Sequence, residues 1–199
     1  MLNYKTATNE EINYNGVVVK EISPTMKLNL RGKKREFFTN IGKNLNMLLP
    51  TEANTSTISD KFTAIWLSPD EWMIVTNDEV KKDTNEYQLN EILFNDISKS
   101  SLGAIIDVTD QFVQLEIKGK NIYEMFSSGS PYNFNEFKNK KGSSVQTILN
   151  HIDVIAHNKG DQIVNLFVRR SFAEHLWAWI EDSASRPVSY THLTLPTKA

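Results

Sequence analysis

The sequence predicts an α+β fold built from two copies of a strand–helix–strand–strand–helix unit. The first observation is a repeated segment: KLNLRGK at 27–33 and QLEIKGK at 114–120 both alternate apolar and polar residues, as half-buried strands do. The second is that each segment leads directly into a helical apolar pattern, and the third is that strand pairs follow both helices. The two halves, about 26–108 and 109–183, are expected to share one sheet or to pack as paired ferredoxin-like units.

The elements of the first half follow from local patterns. Apolar residues at three- and four-residue spacing from Phe37 to Leu48 predict an amphipathic helix that ends before Pro50. Two apolar runs flank the sequence SPDE at 68–71, and they predict a β-hairpin because Pro and Asp suit the middle of a type I turn. A second helical stretch is predicted from Tyr87 to Ile97, and a buried strand at 104–108 follows it.

The second half repeats this order. A helix is predicted to begin at Ile122, and the runs VQTILN and HIDVIAH predict a strand pair. A last strand over 163–168 precedes a final helix. Ser171 and Glu174 stand three residues apart at its start, a spacing that predicts a capping box in which each side chain bonds the backbone of the other.

Both ends of the chain are expected to lie outside this single domain, which spans 26–185. Residues 1–25 have few core residues apart from three consecutive valines, and we interpret them as a mostly irregular arm. Residues 186–199 are interpreted as a non-native tail, because VSYTHLTLPT resembles the translation of a sequencing adapter. A genuine disordered tail is the alternative. On either interpretation, His192 is excluded from the candidate functional residues.

Composition excludes several classes of function. The chain has 22 Lys and Arg against 24 Asp and Glu, a net charge of −2, so no basic surface for nucleic acid or for an anionic membrane is expected. The absence of Cys excludes disulfides, thiolate metal sites and Cys nucleophiles. Apolar runs are too short to span a bilayer, and the N-terminal region lacks the apolar core of a signal peptide. We therefore expect a cytoplasmic protein.

No catalytic, metal-binding or nucleotide-binding residue is predicted in this chain. His151 and His157 flank one short strand, but no third ligand stands at a suitable spacing. There is no glycine-rich phosphate loop. The carboxylates of Asp70 and Glu71 are expected to serve a solvated turn. Asp107 follows an apolar strand and could bind a substrate amine, although capping a turn through its side chain is the favoured role.

Four residues near the end of the domain are candidates for a subunit interface. Arg169 and Arg170 are adjacent on a strand and point to opposite faces, so one is free to contact an acidic partner while the other forms an internal salt bridge. Trp177 and Trp179 lie two residues apart on the final helix and cannot share one face. One of the two is therefore expected to contact something beyond the packing surface of that helix.

Three segments resemble the gamma subunit of heterotetrameric sarcosine oxidase: AIWLSPDEWMIV at 64–75, AIIDVTDQFVQLEIKG at 104–119 and LFVRRSFAEHLWAWIED at 166–182. The last is the most specific, because that family ends in a Val-Arg-Arg-Ser-Phe-Ala run followed by a Leu-Trp-x-Trp-Leu helix. Ser68 stands where the family has Gly, and Ser130 stands where it has Cys.

The resemblance implies a fold similar to the folate-binding domain of glycine-cleavage aminomethyltransferase. It also implies a complex with alpha, beta and delta subunits that demethylates sarcosine oxidatively to glycine, with hydrogen peroxide and methylenetetrahydrofolate as co-products. FAD, FMN, NAD and tetrahydrofolate would then belong to the partner subunits, and this chain would carry no cofactor. The alternative is a stand-alone folate-binding or aminomethyltransferase-like protein, for which Asp107 is the only candidate ligand of folate.

Overall fold

A computed structural model describes residues 5–8, 11–14, 16–77 and 86–186. The strands are β1 Ile12–Tyr14, β2 Val17–Glu21, β3 Lys27–Gly32, β4 Ser56–Ile58, β5 Phe62–Ser68, β6 Glu71–Thr76, β7 Gly103–Asp107, β8 Phe112–Gly119, β9 Ser144–Leu149, β10 Ile152–Gly160 and β11 Ile163–Arg169. The α-helices are α1 Arg35–Leu45, α2 Glu86–Leu93, α3 Ile122–Gly129, α4 Asn135–Asn139 and α5 Ala173–Ser185. A π-helical turn (Phe94–Ser98) extends α2, and a 3₁₀ turn (Arg170–Phe172) precedes α5. The predicted α+β class is confirmed.

The strands form two separate sheets with matching order. One sheet runs β4-β5-β6-β3-β7 and the other runs β9-β10-β11-β8-β2-β1. Each repeated segment therefore lies in the fourth place of its own sheet: β3 lies between β6 and β7, and β8 lies between β11 and β2. Of the two expected arrangements, the single shared sheet is wrong, because the strands form two sheets. The duplication is confirmed. The short strand β4 forms within the polar stretch TEANTSTISD at 51–60, which has no alternating strand pattern.

The N-terminal region is part of the second sheet. β1 and β2 form a hairpin, and β2 pairs antiparallel with β8, so that Val19 lies opposite Ile117. β7 pairs with β3 in the same way, with Ile105 opposite Leu30. β2 directly precedes β3 in the chain, and β7 directly precedes β8. The strand before each repeated segment therefore lies in the sheet of the other repeated segment. The prediction of a mostly irregular arm is wrong for residues 12–14 and 17–21, which are strands. Of the predicted tail at 186–199, all residues after Arg186 lie outside the described part of the chain.

The core is divided into two helix-covered layers and one inner layer. Leu28, Leu30 and Trp72 belong to the layer between the first sheet and its helices. The second sheet buries an aromatic-rich layer against α3, α4 and α5. The inner faces of the two sheets meet through five buried apolar residues, which are Ile65, Met73, Val75, Ile155 and Phe167. This packing makes a four-layer helix–sheet–sheet–helix arrangement.

Three local predictions need correction. α1 ends at Leu45 because Asn46 adopts a left-handed conformation (φ 49°), which leaves Leu48 outside the helix and 80% exposed. β7 is an edge strand with Ile106 exposed, and so it is not fully buried. α5 has no side-chain cap, because the 3₁₀ turn places Ser171 before the helix proper. The predicted capping box is therefore wrong.

Candidate functional site

The inner face of the second sheet carries a row of buried polar side chains. His157 on β10 lies opposite Asn165 on β11, and Asn165 lies opposite Glu116 on β8. All three are at most 8% exposed. Of the described side chains, only that of Asn165 has a buried polar atom, its Oδ1, without a hydrogen-bond partner. Burial of an unpaired amide oxygen costs about 1–3 kcal/mol of stability. No hydrogen bond within the described residues offsets this cost, and we therefore treat the row as the candidate site.

His157 ties the row to a seam where the edge strands β4 and β9 meet. The backbones of Thr55 and Ser143 form a bridge there. Ser56 Oγ donates to the Gly142 carbonyl at 2.9 Å and lies 2.8 Å from His157 Nε2. Because the one hydroxyl proton of Ser56 is directed to Gly142, the ring nitrogen is the donor in the second contact. This polarity is opposite to that of a serine activated by a histidine base.

Burial, reinforced by the positive charge of Lys159, lowers the pKa of His157 to about 4. The imidazole is therefore neutral at physiological pH, in agreement with its role as an Nε2–H donor to Ser56. It is 2% exposed. The pair links the two halves of the molecule.

A cleft of about 390 Å³ opens beside the seam, between segments 49–57 and 140–142. Hydroxyl groups line it, together with the charged side chains of Glu52, Lys140 and Lys141. All three charged residues are exposed. One carboxylate and two ammonium groups in an open, polar cleft do not select a ligand class.

Three lysines surround Glu116 at the other end of the row. Its carboxylate oxygens lie 2.9 Å from Lys118 Nζ, 3.2 Å from Lys159 Nζ and 3.8 Å from Lys20 Nζ. Burial alone would raise the pKa of Glu116, but hydrogen bonds from Lys118 and Lys159 outweigh that effect and hold the pKa below its usual value. Glu116 is therefore a charged anchor for three strands.

A buried lysine lies where the halves are connected. Lys27 is 2% exposed, and its Nζ donates to the Thr25 carbonyl at 2.9 Å. Burial lowers the pKa of this amine to about 8, and the negative charges of Asp110, Asp107 and Glu21 oppose that shift. The amine is less basic than usual, but its burial keeps it from contact with a substrate in this conformation.

Asp107 takes the turn-capping role. Its Oδ1 accepts a hydrogen bond from the Thr109 N–H at 2.9 Å, and its side chain is exposed at the end of β7. The cleft described above is lined by other segments. The folate-binding role that the alternative gives to Asp107 stays a prediction.

The four candidate interface residues have different environments. Trp177 is 3% exposed within the second helix-covered layer, so the chain's own core accounts for it. Trp179 is partly buried and packs on Gly129 of α3. Arg170 donates to the Lys5 carbonyl at 2.6 Å, while Arg169 is exposed and forms no ion pair with the described residues. A subunit contact at Arg169, Arg170 or Trp179 stays a prediction.

The remaining candidates serve local structure. Asp70 accepts a hydrogen bond from Ser68 Oγ at 3.0 Å, and this bond lowers the pKa of its carboxyl, with Lys33 contributing. Glu71 accepts a hydrogen bond from Asn29 Nδ2 at 2.7 Å. His151 lies in the turn between β9 and β10 and is exposed, so it does not join His157. No group of three metal-binding side chains occurs in the parts of the chain that the structure describes.

One feature of the sequence could have indicated the polar row, namely polar residues within or directly after apolar strand runs. Asn165 interrupts the otherwise apolar run IVNLFV, and His157 directly follows the apolar residues VIA of its strand. A polar residue within such a run requires a partner or a reason for burial. The identity of the partners could not be read from one sequence, because Ser56 and His157 belong to different halves.

This duplicated pair of sheets defines the class of protein, which is the aminomethyltransferase-like fold. The chain is similar to the glycine cleavage system aminomethyltransferase T from Bartonella henselae, with a TM-score of 0.60 and 14% identity over 84% of this chain and 46% of that one. It is also similar to a chain of the heterotetrameric sarcosine oxidase from Corynebacterium sp. U-96 in complex with pyrrole 2-carboxylate. There the TM-score is 0.77 and the identity 19%, over 89% of this chain and 90% of the other.

The sequence matches the model of the sarcosine oxidase, gamma subunit family over residues 31–186, and the chain belongs to that family. Family membership makes it an enzyme subunit. No curated protein matches the chain significantly in sequence. Within the described residues, no helix is long and apolar enough to cross a membrane.

Proposed function

We propose that this chain is the non-catalytic gamma subunit of a heterotetrameric sarcosine oxidase that acts in sarcosine catabolism in the cytoplasm. Its partners would be the alpha, beta and delta subunits. The complex would demethylate sarcosine oxidatively to glycine, with hydrogen peroxide and methylenetetrahydrofolate as co-products. The observation that carries the proposal is the family match over residues 31–186.

The geometry of the polar groups supports a structural role. His157 is neutral and donates to Ser56, Glu116 is neutralised by lysines, and Lys27 is enclosed. Each of these groups makes its hydrogen bonds within the fold, and none of the three lines the open cleft. FAD, FMN, NAD and tetrahydrofolate would accordingly be bound by the partner subunits, which would supply the redox chemistry.

Co-expression of the chain with the alpha, beta and delta subunits tests this proposal. We expect the tagged chain to co-purify with all three and the complex to release hydrogen peroxide when sarcosine is added. His157→Gln and Ser56→Ala should leave kcat per assembled complex unchanged, because neither group contacts substrate. A large fall in kcat with normal assembly would contradict the non-catalytic role, and failure of the wild-type chain to assemble would contradict the whole proposal.

The stand-alone folate-binding alternative makes a separate prediction. It requires the isolated chain to bind tetrahydrofolate, and Asp107→Asn to abolish that binding. Because the Asp107 carboxylate is engaged with Thr109 at an exposed turn, we expect no heat of binding in titration calorimetry of the chain alone. Saturable binding that Asp107→Asn removes would favour the alternative.

A further inference from the structure

The two sheets differ at one edge. Their first five places match strand for strand, but the second sheet has a sixth strand, β1, beyond β2. In the first sheet, β7 takes the place equivalent to β2, and no strand of the described residues lies beyond it. The fold therefore contains its own example of what a strand beyond β7 would look like.

The backbone of β7 is directed outward for such pairing. The Ile105 N–H donates to Ser98 Oγ at 3.1 Å instead of to β3. Hydrogen-bonding direction alternates along an antiparallel strand, so the polar backbone groups of Gly103, Ile105 and Asp107 all face away from β3. In the second sheet, the residue equivalent to Ile105 is Val19, and it lies opposite Ile12 of β1. At the β7 edge, the Ser98 hydroxyl thus takes the place that strand β1 occupies at the β2 edge of the second sheet.

The side chains at the two edges also differ. Lys20 in β2 lies opposite Glu116, and Ile106 in β7 lies opposite Asn29, which is the residue equivalent to Glu116. Lys20 is charged and pairs with its neighbour at 3.8 Å. Ile106 occupies the same place but is 52% exposed. An edge strand that faces water usually carries a charge that discourages pairing. β7 has one charged residue, Asp107 at its end, and the place equivalent to Lys20 is apolar.

We infer that the outer edge of β7 is a docking site for an extended segment of a partner subunit. The segment adds antiparallel to β7, as β1 adds to β2, displaces Ser98 from the Ile105 N–H and places an apolar side chain beside Ile106. Backbone pairing gives such a contact its affinity, and the alternate side chains give it specificity. This inference rests on the proposed function, since it concerns a subunit of the same complex.

The test compares two isoleucine-to-lysine variants in the co-expressed complex. Ile106→Lys introduces the residue found at the equivalent place in β2, so the chain is expected to fold. Ile58→Lys is the matched control, because Ile58 is 47% exposed on β4, at the opposite edge of the same sheet. Circular dichroism and the melting temperature of each isolated variant confirm folding. Hydrogen exchange of residues 103–107 is measured in the chain alone and in the complex.

We expect Ile106→Lys to lower the yield of co-purified complex about tenfold and Ile58→Lys to leave it unchanged. Exchange over 103–107 should slow about tenfold or more in the complex. Normal assembly of Ile106→Lys with unchanged exchange would overturn the inference while leaving the proposed function intact. Because β3 already protects the Ala104 and Ile106 amides, the decisive amides in the isolated chain are those of Gly103 and Asp107. Their protection in the isolated chain would overturn the inference too, and would assign the edge to a second copy if concentration-dependent, or to another segment of this chain if not. If the wild-type chain fails to assemble, the proposed function falls and the inference with it.

Discussion

The inner faces of the two sheets have different chemistry on equivalent backbones. At matching places, the first sheet has Ile65 and Met73 where the second has His157 and Asn165. On the helix-facing sides the matching places are apolar in both sheets, as with Leu28 and Leu115. The two inner faces differ in chemistry, yet the strand order of the two sheets is the same in their first five places. The comparison therefore teaches that the apolar residues on the helix-facing sides determine the common fold.

The largest expected effect concerns the equivalent glycines that end β3 and β8. Gly119 has φ 138°, and a Cβ there would collide with the Gly16 backbone. A Cβ at Gly32 would lie 2.5 Å from the Phe37 ring, so the clash there is with a side chain and not with backbone. We expect Gly119→Ala to lower the free energy of unfolding by about 3–5 kcal/mol and Gly32→Ala by about 1–3 kcal/mol. Urea denaturation measures both.

Gly42→Ala in α1 is the control for these variants. The nearest atom to a Cβ at Gly42 is 3.6 Å away, so this substitution should stabilise the helix by about 0.5–1 kcal/mol. Equal losses for Gly119→Ala and Gly32→Ala would mean that the two strand ends are not distinguished by backbone contact.

The next prediction tests whether the halves unfold together. Leu28→Ala and Leu115→Ala should each cost about 2–5 kcal/mol, because both side chains are fully buried. β2, which precedes β3, pairs with β8, and β7, which precedes β8, pairs with β3. Because these pairings link the two sheets through the chain, either variant should lower the stability of both. Fluorescence of variants that retain only Trp72 or only Trp177 reports the two halves separately. Coincident midpoints are expected, and a shift confined to the mutated half would contradict the coupling.

The pH dependence tests the polar row. The pKa of His157 is lowered from 6.5 to about 4, so the unfolded chain binds a proton more readily than the folded chain between those values. Stability from this group is complete above about pH 6.5 and declines as the pH falls toward 4, by about 3 kcal/mol in total. Thermal melts from pH 7 to pH 4 measure the decline. His157→Gln should flatten it, whereas His175→Gln, at an exposed helix position, should not.

The smallest effect comes from exchanging one residue between the two inner faces. Asn165→Met introduces the residue at the equivalent place in the first sheet, Met73, and removes a buried oxygen without a partner. We expect a gain of about 1 kcal/mol in the free energy of unfolding. Asn165→Asp is the control, since it keeps the size and adds a buried charge that should destabilise. A loss of stability in Asn165→Met would show that the amide has a partner that the structure does not contain.

Much of the fold could be predicted from local sequence pattern. Alternation in LNLRG and LEIKG, together with the SPDE turn, predicts β3, β8 and the hairpin of β5 and β6 because these signals act over a few residues. The exchange of β2 and β7 could not be predicted in this way. Both strands pair with distant segments, and a short valine-rich run carries no information about its partner.

The candidate site was predicted less well for the same reason. The turn-capping role of Asp107 depends on a residue two places away, and the favoured interpretation is confirmed. The link between Ser56 and His157 joins residues of different halves, so no local spacing reveals it. Helical geometry correctly placed Trp177 and Trp179 on different faces of α5, but it did not show that α3 provides a packing surface for Trp179. Tertiary packing therefore decided what the helix pattern left open.

The exchanged strands also constrain the order in which the chain can mature on the ribosome. Val19 leaves the ribosome early, yet its partner Ile117 is synthesised about 100 residues later. The β1–β2 hairpin must remain without its sheet during that interval, with the apolar sides of Ile12 and Val19 uncovered. The β7 strand has no such delay, because β3 is already made when it emerges. Pausing or chaperone binding during synthesis would therefore matter most for the N-terminal hairpin.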